Sequence, residues 1–110
     1  LCDEALNILD RARKSSVSDY VLPGYRGPLS NMAFLAILKR MKRQDITPHG
    51  FRSTFRDWAA ETTSHPSDVV EMALAHTIGN KVEAAYRRGN LFDKRRALMD
   101  DWAAFITISI

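Results

Sequence analysis

Two imidazoles, two guanidiniums and a phenol stand out in this sequence for what they could do together. His49, Arg52, Ser53 and Arg56 recur at intervals that put them on one side of a helix, while Phe51, Phe55, Trp58 and Ala59 fall on the other. His76 follows in Leu74-Ala75-His76, and Tyr86 comes ten residues later in Ala84-Ala85-Tyr86-Arg87-Arg88. Arginine carries a permanent charge on a planar fork that matches phosphate oxygens. His49 and Arg52 sit in the first turns of their helix, where the dipole favours anions. Each feature also has an ordinary reading: a solvated basic face for the arginines, a helix-end cap for His76 and a packing ring for Tyr86. His65, before Pro66, reads as a loop residue with no role.

The elements that must position these groups are mostly helical. Residues 3–14 predict a first helix, with Ala5, Leu6, Ile8, Leu9 and Ala12 at helical spacing and Arg11, Arg13 and Lys14 near its end. A connector with Pro23-Gly24 and Gly27-Pro28 follows, and Tyr20-Val21-Leu22 within it suits a short extended piece. Ser30 is the expected N-cap of a second helix, with Met32, Phe34, Leu35, Ile37, Leu38 and Met41 apolar and a basic end at Lys39, Arg40, Lys42 and Arg43. Thr47-Pro48 predicts the start of a third helix, running to about Thr62. A fourth is expected over 67–75, a short one carrying Tyr86 over 81–88, and a last one over 91–105. The last should bury Leu91, Leu98, Trp102 and Phe105, supported by Met99 and Ile106. The fold class that results is mainly α, a compact multi-helix bundle forming a single partial domain over 1–110.

Taken as an ordered set, His49-Gly50-Phe51-Arg52, Leu74-Ala75-His76 and Tyr86 resemble the tyrosine recombinase (phage integrase) family. Its catalytic domain carries a His-x-x-Arg box, a Leu-Gly-His box and a tyrosine nine or ten residues further on. The surrounding text is similar to the prophage and genomic-island branch: Ser30-Asn31-Met32, Thr47-Pro48, Phe55-Arg56-Asp57-Trp58-Ala59, and Arg95-Arg96-Ala97-Leu98-Met99 leading to Trp102. Each box is weak alone; together, in order, they cover nearly the whole chain. Ala75 departs from the family glycine, a small residue for a small one at a helix end.

The resemblance implies site-specific DNA recombination through a 3′-phosphotyrosyl intermediate. Tyr86 would be the nucleophile, with Arg52 and His76 on the phosphate and His49 assisting. Arg56, Lys39, Arg40, Lys42, Arg43, Arg87 and Arg88 would contact the DNA backbone. Double-stranded DNA would be the partner, with tetramers assembling on it in relatives and the fragment itself monomeric. No cofactor or metal is expected. The family's earlier Arg and its β-hairpin Lys lie upstream of the matched region, so this piece is not expected to cleave DNA efficiently alone. The competing readings are a non-catalytic helical DNA-binding module and a helical interaction domain.

Composition agrees with a globular protein of this kind. Of 110 residues, 45% are apolar and 26% charged, and the net charge is +3, a mild bias towards polyanions. The single Cys2 can form neither an internal disulfide nor a zinc cluster, which suits a reducing cytoplasm. No apolar run approaches the roughly 18 residues of a membrane span, and no signal peptide is evident. The first residue is not methionine, so the chain is expected to be cut from something longer.

Overall fold

The computed structural model describes residues 1–76 and 91–107. The described residues form five helices: α1 (Asp3–Ser15), α2 (Ala33–Arg40), α3 (Pro48–Thr62), α4 (Ser67–Ala73) and α5 (Phe92–Thr107). The protein is mainly α; among the described residues the one β-type pairing is an isolated bridge between Pro23 and Pro28. The extended piece expected at Tyr20-Val21-Leu22 does not form, because the connector turns there instead. Tyr20's carbonyl accepts the Ser16 hydroxyl at 2.6 Å, and Gly24 N–H reaches Gly27 O at 2.7 Å. The expected helix over 81–88 lies outside the described residues.

Contacts divide the chain into two units, one of Asp3–Phe51 and one beginning at Arg52. In the first, α1 opens with Asp3 and Glu4 and closes with Arg13 and Lys14, each opposite in sign to its end of the dipole. Asp10 pairs with both Arg13 and Lys14 at 3.0 Å. No α1 residue is buried. Helix α2 begins three residues later than its expected cap. Ser30's carbonyl takes the Ala33 N–H at 3.1 Å in a tight turn, and Met32, which makes no side-chain cap bond, occupies the cap position. The helix stops where Lys42 turns left-handed, at φ 58°. Lys42 N–H then bonds Lys39 O and Arg43 N–H bonds Leu38 O, the paired closure of a Schellman motif.

Helix α3 begins as expected from Thr47-Pro48. The Thr47 hydroxyl accepts the Gly50 N–H at 3.1 Å, satisfying a donor that the first turn cannot. Phe51 was expected among the buried anchors of α3 but is 60% exposed. It borders an apolar groove of the first unit with Phe34, Ile37, Met41 and Ile46.

The core belongs to the second unit. Phe55, Trp58 and Ala59 of α3 pack with Val69, Val70 and Leu74 from around α4 and with Leu98 of α5. Ala59 and Leu98 have no exposed surface. Trp102 stands edge-on to Phe55, with centroids 5.2 Å apart, and lies 5.0 Å from Trp58. Phe105 and Ile106 depart from the expected buried stripe, being 49% and 48% exposed. Phe105 still stacks on Trp102 at 5.7 Å, so it covers the ring cluster from outside. The α3–α4 connection is tied to α5 by His65 Nε2 and Asp101 Oδ2, 2.6 Å apart. His65, read from sequence as having no role, is thus a structural link.

Candidate functional site

Arg52 and Arg56 leave α3 at the margin of the side that carries Phe55 and Trp58, roughly 60° and 100° round the axis from Phe55, and both are exposed. Helix α4 ends beside them in a second Schellman closure. Ala75 is left-handed at φ 58°, Ala75 N–H bonds Met72 O at 3.0 Å, and His76 N–H bonds Glu71 O at 2.9 Å. Such a closure folds the residue after the turn back over the last helical turn. It therefore brings His76 next to Glu71.

Four side chains of the second unit meet at this stop. Arg52 Nη2 donates to the carbonyl of Leu74, two residues before His76. His76 Nδ1 lies 2.5 Å from Glu71 Oε2, and Arg56 Nη2 lies 3.0 Å from Glu71 Oε1. The His76 side chain is 34% exposed and that of Glu71 27%, so the group is half-buried and open on one side. One guanidinium and one imidazole face the Glu71 carboxylate, and a second guanidinium lies on the Leu74 carbonyl, so the two arginines outnumber the one acid. Arg52 uses one of its nitrogens on Leu74 and has others to offer an anion.

The remaining candidates are placed as follows. His49 is exposed in the first turn of α3, within the first unit. Lys39, Arg40 and Lys42 are exposed at the end of α2. Arg43 is exposed too, but its fork grips Asp45 at 2.9 and 3.0 Å. That hydrogen bond is the chief reason the Asp45 carboxyl is held below its usual range. Tyr86, Arg87 and Arg88 lie outside the described residues. Among the described residues, no three His, Cys, Asp or Glu side chains gather as a metal site, and no helix is long and apolar enough to cross a membrane.

Sequence reasoning overlooked Glu71 and the Leu74 carbonyl. Both were reachable from Leu74-Ala75-His76 read as a helix stop, since the closure pairs the residue after the turn with the one five before it. Ala75 was also underweighted. Its left-handed backbone is a conformation that glycine adopts freely and alanine does not.

The second unit thus gathers two guanidiniums and an imidazole at one half-buried edge, and the arginine fork is a shape that suits phosphate oxygens. Relatives give that arrangement a narrower meaning. The chain is 34% identical over 107 residues to the prophage integrase IntZ of Escherichia coli K12, covering 94% of this chain and 26% of that protein. It is 32% identical over 111 residues to the prophage integrase IntA of the same strain (96% of this chain, 27% of that protein). The integrase of Shigella phage Sf6 is 32% identical over 94 residues, covering 82% of this chain and 24% of that protein. The chain thus belongs with the phage and prophage integrases, and it spans about a quarter of the length of these relatives. No protein-family profile matches it, nor does any solved structure.

Proposed function

We propose that this chain is the C-terminal part of the catalytic domain of a tyrosine-type, site-specific DNA recombinase, which acts in the bacterial cytoplasm to integrate or excise mobile DNA. The observation that carries the reading is the hydrogen bond from Arg52 to the Leu74 carbonyl, which holds a guanidinium within two residues of His76. Integrase relatives along nearly the whole chain support it.

The chemistry follows from what a phosphodiester resists. Its oxygens repel a nucleophile until their charge is met, and its leaving oxygen departs poorly without a proton. Arg52 grips a non-bridging oxygen with the donors that Leu74 leaves unused. His76 presents its ring to the same phosphate, and His49 assists the phosphate or the tyrosine proton. The Tyr86 oxygen attacks phosphorus, the bond to the 5′ oxygen breaks, and that oxygen takes up a proton. The phosphotyrosyl ester retains the bond energy, so a second 5′-hydroxyl can displace Tyr86 without a cofactor. Lys39, Arg40, Lys42, Arg43, Arg87 and Arg88 contact the DNA backbone and position it without reading sequence. Four protomers assemble on the paired DNA duplexes.

The test is a nicked suicide substrate offered to the intact protein. A covalent protein–DNA adduct should form, vanish in Tyr86→Phe, and form about 10²–10³ more slowly in Arg52→Ala. An adduct that persists in Tyr86→Phe moves the nucleophile elsewhere. DNA binding without any adduct reduces the protein to a helical DNA-binding module.

A further inference from the structure

We propose that Glu71 is a positioning residue for His76, and that Arg56 serves Glu71 rather than DNA directly. The inference rests on the function proposed above for its purpose, but its geometry stands apart from that function. An ionised carboxylate can only accept hydrogen bonds. With Glu71 Oε2 2.5 Å from His76 Nδ1, the proton of that contact sits on Nδ1. The tautomer is thereby chosen, and Nε2 is the nitrogen left to meet a ligand. Nε2 donates to a phosphate oxygen when the ring carries both protons, a state for which the Glu71 carboxylate is the counter-ion.

The carboxylate is itself held. Its other oxygen, Oε1, receives Arg56 Nη2 at 3.0 Å, so the two oxygens face two different partners and the group cannot rotate freely. The backbone reinforces this, since His76 N–H bonds Glu71 O at 2.9 Å across the same closure. Side chain and main chain thus join residues 71 and 76 twice. Arg56, Glu71 and His76 form a relay that orients one ring, while Arg52 on the Leu74 carbonyl fixes the neighbouring guanidinium. Partners of this kind, acting through another residue, typically change activity by about 10–100-fold when removed.

Long-range proton–nitrogen couplings of the His76 ring, recorded on this chain at a pH where the ring is neutral, decide the matter. The expected wild-type result is a proton on Nδ1; at lower pH, where the ring carries both protons, Nε2 and not Nδ1 should respond when inorganic phosphate or a short DNA duplex is added. In Glu71→Ala the Nδ1 preference should disappear; in Glu71→Gln it should survive, because the amide oxygen still accepts. A wild-type ring protonated on Nε2 overturns the proposal whether or not any variant folds. So does an unchanged tautomer in Glu71→Ala. In the adduct assay on the intact protein, the rate of adduct formation should fall about 10–100-fold in Glu71→Ala, with Glu71→Gln restoring most of it. A rate unchanged in Glu71→Ala likewise overturns the positioning role. If the tautomer behaves as stated but Tyr86→Phe still forms adduct, the recombinase reading fails while the relay stands.

Discussion

Replacing Ala75 with glycine should stabilise the protein. Ala75 holds a φ of 58°, where an L side chain crowds its own backbone. That conformation costs roughly 1–2 kcal/mol for a residue with a Cβ and almost nothing for glycine. Against this, glycine gives the unfolded chain more freedom, which offsets about 0.4–1 kcal/mol. The net expectation is about 0.5–1 kcal/mol of added stability. For a chain of this size that corresponds to a rise in Tm of roughly 2–8 °C. Thermal unfolding followed by circular dichroism reads it, with urea unfolding as the second measurement. Ala60→Gly is the internal control: Ala60 is an exposed position inside α3, so glycine there should destabilise by about 1 kcal/mol. Opposite signs at the two alanines are required. If Ala75→Gly lowers Tm as Ala60→Gly does, residue 75 is not left-handed, and the closure that brings His76 to Glu71 is wrong.

Other expectations concern separate links of the same chain of causes. Lys42, also at φ 58°, should likewise gain stability as glycine while losing one cation from the α2 terminus, measurable as a higher Tm with weaker DNA binding at low salt. Thr47→Ala removes the acceptor for Gly50 N–H and should cost about 1 kcal/mol in urea unfolding. Leu98→Ala empties a fully buried site between α4 and α5 and should cost about 2–5 kcal/mol. Asp45 has its folded value depressed, chiefly by the Arg43 hydrogen bond. Its contribution is therefore present above the ordinary carboxylate range and is lost as pH falls through the depressed value. An NMR titration of the Asp45 carboxyl should move back up in Arg43→Ala.

Much of this architecture is written locally, and the parts that were legible share that property. Thr47-Pro48 announces the start of α3 because a cap hydroxyl and a proline without an N–H both act within one turn. Arg56 faces away from Trp58 by helical spacing alone, about 160° round the axis, whereas Arg52 stands only about 60° from Phe55, at the edge of the buried side. Ser30 misled for a complementary reason: a residue competent to cap does so only if the chain turns there, and the Ser30 carbonyl was taken by a tighter turn. Phe51 shares the angle of its aromatic neighbours, but the core begins a turn later, at Phe55, and angular position says nothing of where along a helix the partners lie. Glu71 was illegible as a site residue because a carboxylate inside a short helix is ordinary until the helix stop folds His76 back on it.

The left-handed residue that closes α4 also works as a gauge of length. Were Ala75 to adopt helical angles, each further residue would advance about 100° around the axis and 1.5 Å along it. His76 would swing off Glu71, and the Leu74 carbonyl would turn towards the prolonged helix and away from the Arg52 fork. A change that merely favours one more residue of helix, without touching any charged group, would therefore undo the contacts that join His76 to Glu71 and Arg52 to Leu74. If the proposed recombinase reading is right, screens for loss of activity should find such variants well folded and still basic.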